Sequence, residues 1–172
     1  MKPLSEIANV FSDLDMLPEE RRRHFDKALR NLSQRHFFPP DAQEGKAFLY
    51  DRDSVAVLRL VQIAAGFGLD RVMLDGINFW LRAAGTKRVR VTGGYQGVTR
   101  IREMLERARD GEDFNLHIIM DSTGKVYHSL DWSTEATSER ASRTLDLISA
   151  PELARVTLPA STLLRQLPAS EG

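Results

Sequence analysis

Leu29-Arg30-Asn31-Leu32-Ser33-Gln34-Arg35-His36-Phe37-Phe38-Pro39-Pro40 decides how the N-terminal half of this chain is read. It is the end of a helical pattern that starts near Pro18, run into two prolines that stop it. Phe25, Ala28, Leu29 and Leu32 fall on one apolar stripe. Pro18 suits a first helical position, and Glu19 and Glu20 sit where the positive end of the helix dipole favours carboxylates. Proline lacks the amide hydrogen and clashes with the preceding turn, so Pro39-Pro40 closes the helix.

The other side of this helix is the most informative surface in the sequence. At about 100° per residue, Arg23, Lys27, Arg30 and Gln34 gather within roughly 30° of the direction facing away from the stripe, with Asn31 and Glu20 on the flanks. Cations with Gln and Asn on one ridge are the residue types that pair with phosphates and base edges in a major groove. An ordinary solvated face is the alternative reading.

Upstream, Leu4, Ile7, Ala8 and Phe11 have the spacing of a short amphipathic helix, and Ser12 to Leu17 reads as a turn. Downstream, Asp41 to Lys46 is a polar loop containing Gly45, and Ala47-Phe48-Leu49-Tyr50 is strand-like. Asp51 or Asp53 caps a third helix with Val55, Leu58, Val61 and Ala65 turned inward, broken by Gly66 and Gly68. Asp70 caps a fourth, with Met73, Ile77, Trp80 and Leu81 on one face and Gly85 at its close. Helix, turn, basic helix, hairpin loop, helix, helix is the order expected of a winged helix-turn-helix.

The opening run, followed ten residues later by Tyr50-Asp51-Arg52-Asp53-Ser54-Val55-Ala56-Val57-Leu58-Arg59, resembles the MerR family of DNA-binding regulators over roughly residues 4–84. The landmarks are the Leu-Arg pair, the Pro-Pro pair and the Tyr-Asp pair that opens a helix. The resemblance implies a winged helix-turn-helix over 1–84, double-stranded DNA as partner and a homodimer. Arg30 matches the family's recognition-helix arginine that contacts the DNA backbone. Asn31 stands where the family has a tyrosine, and Phe48 where the wing has an arginine. Lys46, two residues earlier, is the substitute for that phosphate contact. These departures imply an atypical relative of phage or mobile-element type.

Charge is balanced overall, with 24 basic and 24 acidic residues, but it is segregated. Arg71 to Arg109 holds nine basic residues against Asp75, Glu103 and Glu106. The absence of cysteine excludes disulfides, thiolate metal sites and cysteine nucleophiles. No stretch approaches the roughly 20 apolar residues of a membrane span, and the N-terminus lacks the pattern of a secretory signal. A cytoplasmic, nucleoid-associated protein is expected.

In the second half, residues 85–96 read as a basic strand or linker, with Lys87, Arg88 and Arg90 placed to follow a DNA backbone. Gly93-Gly94 lacks the ending of a phosphate loop. Val98, Ile101, Leu105 and Ala108 mark a helix whose apolar side is either a core face or a dimer contact. Asn115 to Met120 and Lys125 to Leu130 form a hairpin around Asp121-Ser122-Thr123-Gly124. His117 and His128 are candidate cross-strand neighbours, although a two-histidine metal site lacks a third ligand. Residues 97–150 thus read as a small dimerisation or partner-binding module, and the proline-punctuated 151–172 as a flexible tail.

The expected fold is α+β, mainly α: an N-terminal winged helix-turn-helix followed by a small helix-plus-β-hairpin module. The expected function is a sequence-specific double-stranded DNA-binding transcriptional regulator acting as a homodimer. An architectural accessory factor, excisionase-like or terminase-like, is the alternative, and an adaptor that has lost DNA contact is a third. No catalytic constellation, metal-ligand set or cofactor motif stands out, so neither enzyme chemistry nor a cofactor is expected.

Overall fold

The computed structural model describes residues 1–35, 38–132 and 150–168. The chain is α+β, with three small antiparallel sheets. It divides into two units, Met1–Arg82 together with Gln166–Gly172, and Ala83–Arg165. Among the described residues, no helix is long and apolar enough to cross a membrane.

The first unit runs β1 (Lys2–Pro3), α1 (Leu4–Leu14), α2 (Glu19–Arg35), β2 (Ala42–Glu44), β3 (Ala47–Tyr50), α3 (Arg52–Gly66) and α4 (Arg71–Arg82). Its sheet has the order β1-β3-β2. The loop expected over Asp41 to Lys46 is in part a strand: Gln43 faces Phe48 and Glu44 faces Ala47 across the two-residue turn Gly45-Lys46. Gly45 takes φ +59°, which a hairpin turn of this length demands at its first position. His36 and Phe37, at the end of the second helical pattern, lie outside the described residues.

Helix α1 carries its pattern one turn past Phe11. Ser12, expected in a turn, is helical and buried, and its carbonyl accepts from the Leu17 amide at 2.9 Å. Helix α3 is capped by Asp51, whose carboxylate accepts from the Ser54 amide at 2.8 Å. Rather than burying one stripe, α3 has every residue from Ala56 to Val61 buried. A helix packed against both α2 and α4 has little free perimeter. Val55 and Ala65, expected to face inward, are only half-buried. The cost of enclosing α3 falls on Arg59, 2% exposed. Its guanidinium forks onto Asp15 (2.6 and 2.9 Å), bonds Gln62 (2.8 Å) and lies over the Phe11 ring at 5.1 Å. Asp70 caps the approach to α4 by accepting from the Met73 amide. The inward face of α4 is Leu74, Ile77, Asn78 and Leu81, so Met73 and Trp80 sit at its half-buried margin.

The second unit begins with β4 (Ala84–Val91) and β5 (Gly94–Thr99), then α5 (Arg100–Arg109), β6 (Leu116–Asp121), β7 (Val126–Leu130), β8 (Glu152–Leu158) and α6 (Ala160–Arg165). The segment read as strand or linker over 85–96 is a two-stranded ribbon. Helix α5 takes the core-face alternative: Ile101, Met104, Leu105 and Ala108 are buried, and α5 packs on α6. Strands β6 and β7 pair as expected, from Leu116 opposite Leu130 to Met120 opposite Val126.

The expected flexible tail is corrected over 152–165. Strand β8 pairs with β6 from Leu116 opposite Leu158 to Met120 opposite Ala154, and Leu158, Ala160 and Leu164 are buried. Ser161 closes the junction: its amide donates to the Phe114 carbonyl, and its hydroxyl accepts from the Phe114 amide, both at 3.1 Å. Leu167, which belongs to the first unit, is also buried and lines a cavity within that unit together with Ile7, Val10 and Val55. Residues 133–149 of the expected module and 169–172 of the expected tail lie outside the described residues.

Candidate nucleic-acid interface

Helix α2 buries Leu29 and Ser33 and leaves Arg23, Lys27, Arg30, Asn31 and Gln34 exposed. Arg22, on another side of the helix, is ion-paired to Asp13 at 2.6 Å and bonded to the Leu17 carbonyl. Arg30 is tied to Asp26 one turn back at 2.9 Å, and that bond raises its already high pKa. Arg23, Lys27 and Lys46 form no ion pair among the described residues.

The hairpin adds to this face. Arg30 and Gln34 of α2 and Lys46 of the β2–β3 turn line one cleft of about 310 Å³, floored by Phe38, Phe48 and Tyr50. Burial pushes the Tyr50 phenol above its ordinary range, so it stays protonated, with Ser33 as a hydrogen-bond partner. Arg23, Lys27 and Asn31 are on the same helix but do not line the cleft. Phe48 is half exposed (51%) and gives the cleft an apolar side.

Lys87, Arg88 and Arg90 lie on β4, in the second unit. The register sets Arg88 opposite Gly97, Val89 opposite Gln96 and Arg90 opposite Tyr95. Directly opposed residues share a face, so Arg88, Arg90 and Tyr95 stand together on one side of the ribbon. Lys87 points elsewhere and is paired with Glu106.

The root of the ribbon is held by Glu103, in the sequence one of only three acids within the basic stretch from Arg71 to Arg109. A register shift between Ala84 and Arg88 leaves two amides without a partner strand. Glu103, 2% exposed, takes both: its carboxylate accepts from Thr86 N (2.8 Å), Lys87 N (3.1 Å) and Thr86 Oγ1 (2.6 Å), and is flanked by Arg107. Burial opposes its ionisation, but these bonds outweigh burial and hold the carboxyl below its ordinary range. Gly85 makes room for it. A Cβ there would lie 2.5 Å from the Glu103 carboxylate.

The two histidines are not neighbours. His117 faces Ser129 and Ile118 faces His128, which puts the imidazoles on opposite sides of the sheet. His117 lies 3.0 Å from Thr157 Oγ1 and 3.1 Å from Asp131 Oδ2, joining β8 to the chain after β7. Burial works against the Asp131 charge, yet hydrogen bonds from Asn115 and His117 hold its carboxyl low. Burial, with the Arg100 charge nearby, pushes His128 down to about 4, so it is neutral at physiological pH. The Asp121-Ser122-Thr123-Gly124 turn is self-satisfied: Asp121 accepts from Thr123, Lys125 and Tyr127, and Gly124 takes φ +82°. Among the described residues, no group of three or more His, Cys, Asp or Glu is placed to hold a metal ion.

No protein-family model, curated protein or solved structure matches the chain.

Proposed function

We propose that residues 1–82 form a winged helix-turn-helix in which α2 enters the major groove of double-stranded DNA and the β2–β3 hairpin is the wing. The protein is then a sequence-specific transcriptional regulator. The observation that carries this reading is the cleft shared by Arg30, Gln34 and Lys46, because it brings a helix ridge and a hairpin tip to bear on one ligand. Arg30 and Lys46 are phosphate-binding types, and Gln34 reads adenine edges by a bidentate bond. Arg23 and Lys27 extend the positive ridge along the backbone.

One small module binds a limited stretch of sequence, so a homodimer on two half-sites about 34 Å apart supplies the remaining affinity and specificity. Selection of bound fragments from a random-sequence duplex pool, followed by a mobility-shift titration at about 50 mM salt, tests the reading. Arg30→Ala should weaken binding to all sequences alike, whereas Gln34→Ala should change the selected sequence. A chain that binds no duplex at that salt is not a regulator of this kind.

A further inference from the structure

We infer that the β4–β5 ribbon is a second, separate DNA-binding element, one that inserts as a two-stranded arm into the major groove of a duplex. The ribbon belongs to the second unit, so this surface stands independently of the α2 ridge.

Three observations carry the inference. The first is its accessibility: all twelve residues from Thr86 to Gly97 are exposed, on both faces of the ribbon. A two-stranded hairpin has no core of its own and is marginal in water unless something packs on it or holds its root. Here the root is held, by the Glu103 carboxylate, and the arm beyond it is bare.

The second is charge. Between Asp75 and Glu103 the sequence has no acidic residue and carries Arg82, Lys87, Arg88, Arg90, Arg100 and Arg102. The carboxylates nearest the arm are withdrawn from its basic face, Glu103 into the root and Glu106 onto Lys87. Arg88 and Arg90 make no side-chain ion pair or hydrogen bond among the described residues. A pair of guanidinium groups kept free in this way complements a polyanion.

The third is shape. A two-stranded antiparallel ribbon fits the B-form major groove, about 12 Å wide, and not the minor groove at about 6 Å. Arg88 faces Gly97, a residue with no side chain to crowd it, and Arg90 faces Tyr95, which is 71% exposed. The tip turns through Gly93, at φ +94°, with open space where its Cβ would be, so backbone can approach the ligand closely. The deep, narrow major groove of A-form RNA does not admit side chains. Single strands are bound on several stacked aromatics, and the arm offers only Tyr95.

The test uses the full-length chain and a fluorescent 30-base-pair duplex of mixed sequence, with its single strand alongside, titrated between about 50 and 200 mM salt. Arg88→Gln with Arg90→Gln should lower duplex affinity about tenfold near 100 mM salt. It should also reduce the slope of log K against log salt by about two, since each phosphate contact contributes about 0.9. Tyr95→Ala should weaken binding several-fold and leave the slope unchanged, an outcome that diffuse electrostatics does not produce. Both variants should melt at the wild-type temperature, because these side chains are exposed and the root is untouched. The same titration with Lys27→Gln and Arg30→Gln separates the two surfaces. A slope reduced by the ribbon variant supports the arm even where the α2 variant has no effect. An unchanged slope in the ribbon variant overturns the arm even where the α2 variant loses binding. Equal or tighter binding to the single strand overturns it as well.

Discussion

The α2 ridge and the β4–β5 ribbon carry similar numbers of cations but treat the neighbouring acids differently. On the helix, acids are interleaved with bases: Glu20 flanks the ridge, and Asp26 holds Arg30 at 2.9 Å. On the ribbon the acids have been removed, one sequestered at the root and one pinned to Lys87. A helix periodic in about 3.6 residues brings positions three and four apart together, so a charged helix compensates itself locally. A two-residue repeat instead keeps i and i+2 on a shared face with only a cross-strand neighbour, which here is glycine or tyrosine. Thus compensation on the ridge is a matter of nearest neighbours in sequence. On the ribbon it depends on what the rest of the fold does with Glu103 and Glu106.

Removing Glu103 breaks this contrast most severely. Glu103→Ala leaves the Thr86 and Lys87 amides and the Thr86 hydroxyl without a buried partner, and should cost about 3 kcal/mol in urea unfolding. Amide exchange should rise first at Thr86 and Lys87. Acid should act in the same direction. Because the folded carboxyl lies below its ordinary value near 4.5, the stabilisation is fully present above that value and fades as pH falls through the folded one. The stability gap between wild type and Glu103→Gln should therefore narrow between neutral pH and pH 3.

Gly85→Ala tests the same root from the other side. The added methyl meets the carboxylate and should cost about 2 kcal/mol, again read by unfolding. A smaller effect falls on the ridge: Lys27→Gln with Arg30→Gln should reduce duplex affinity about tenfold at about 100 mM salt, with little change in melting temperature. The smallest sharpens the comparison. Asp26→Asn releases Arg30 and should tighten binding about twofold by anisotropy titration, at a stability cost below about 0.5 kcal/mol.

What could be read from the sequence follows the range of each interaction. The caps at Asp51 and Asp70 and the hairpin around Asp121 are set by residues within a few positions of one another, and they are visible in a linear text. The stripes are legible only in part, since of Phe25, Ala28, Leu29 and Leu32 on α2 only Leu29 is buried and Ala28 is exposed. The exposure of Arg23, Lys27, Arg30, Asn31 and Gln34 follows from the same periodicity. The elements misread are those whose partners are remote. Strand β8 is short, mixed in polarity and proline-flanked, and its pairing partner β6 is remote in sequence, with Leu116 opposite Leu158. Arg59 is buried because Asp15, 44 positions away, meets it. The Arg30–Lys46 cleft requires the hairpin to fold back beside α2, which the spacing of neither segment states. Gly85, expected to close the fourth helix, lies instead in β4, because α4 ends at Arg82, and its missing Cβ is what lets the Glu103 carboxylate reach the backbone at the ribbon root.

The register shift at that root also governs which insertions the arm tolerates. An extra residue placed between Ala84 and Arg88 falls where the ladder is already irregular, and the bulge can absorb it without disturbing the pairing beyond. An extra residue between Arg88 and Arg90 changes parity instead and transfers one of the two arginines to the face of Val89 and Gln96. The arm therefore has a reading frame of its own, permissive at the base and strict towards the tip.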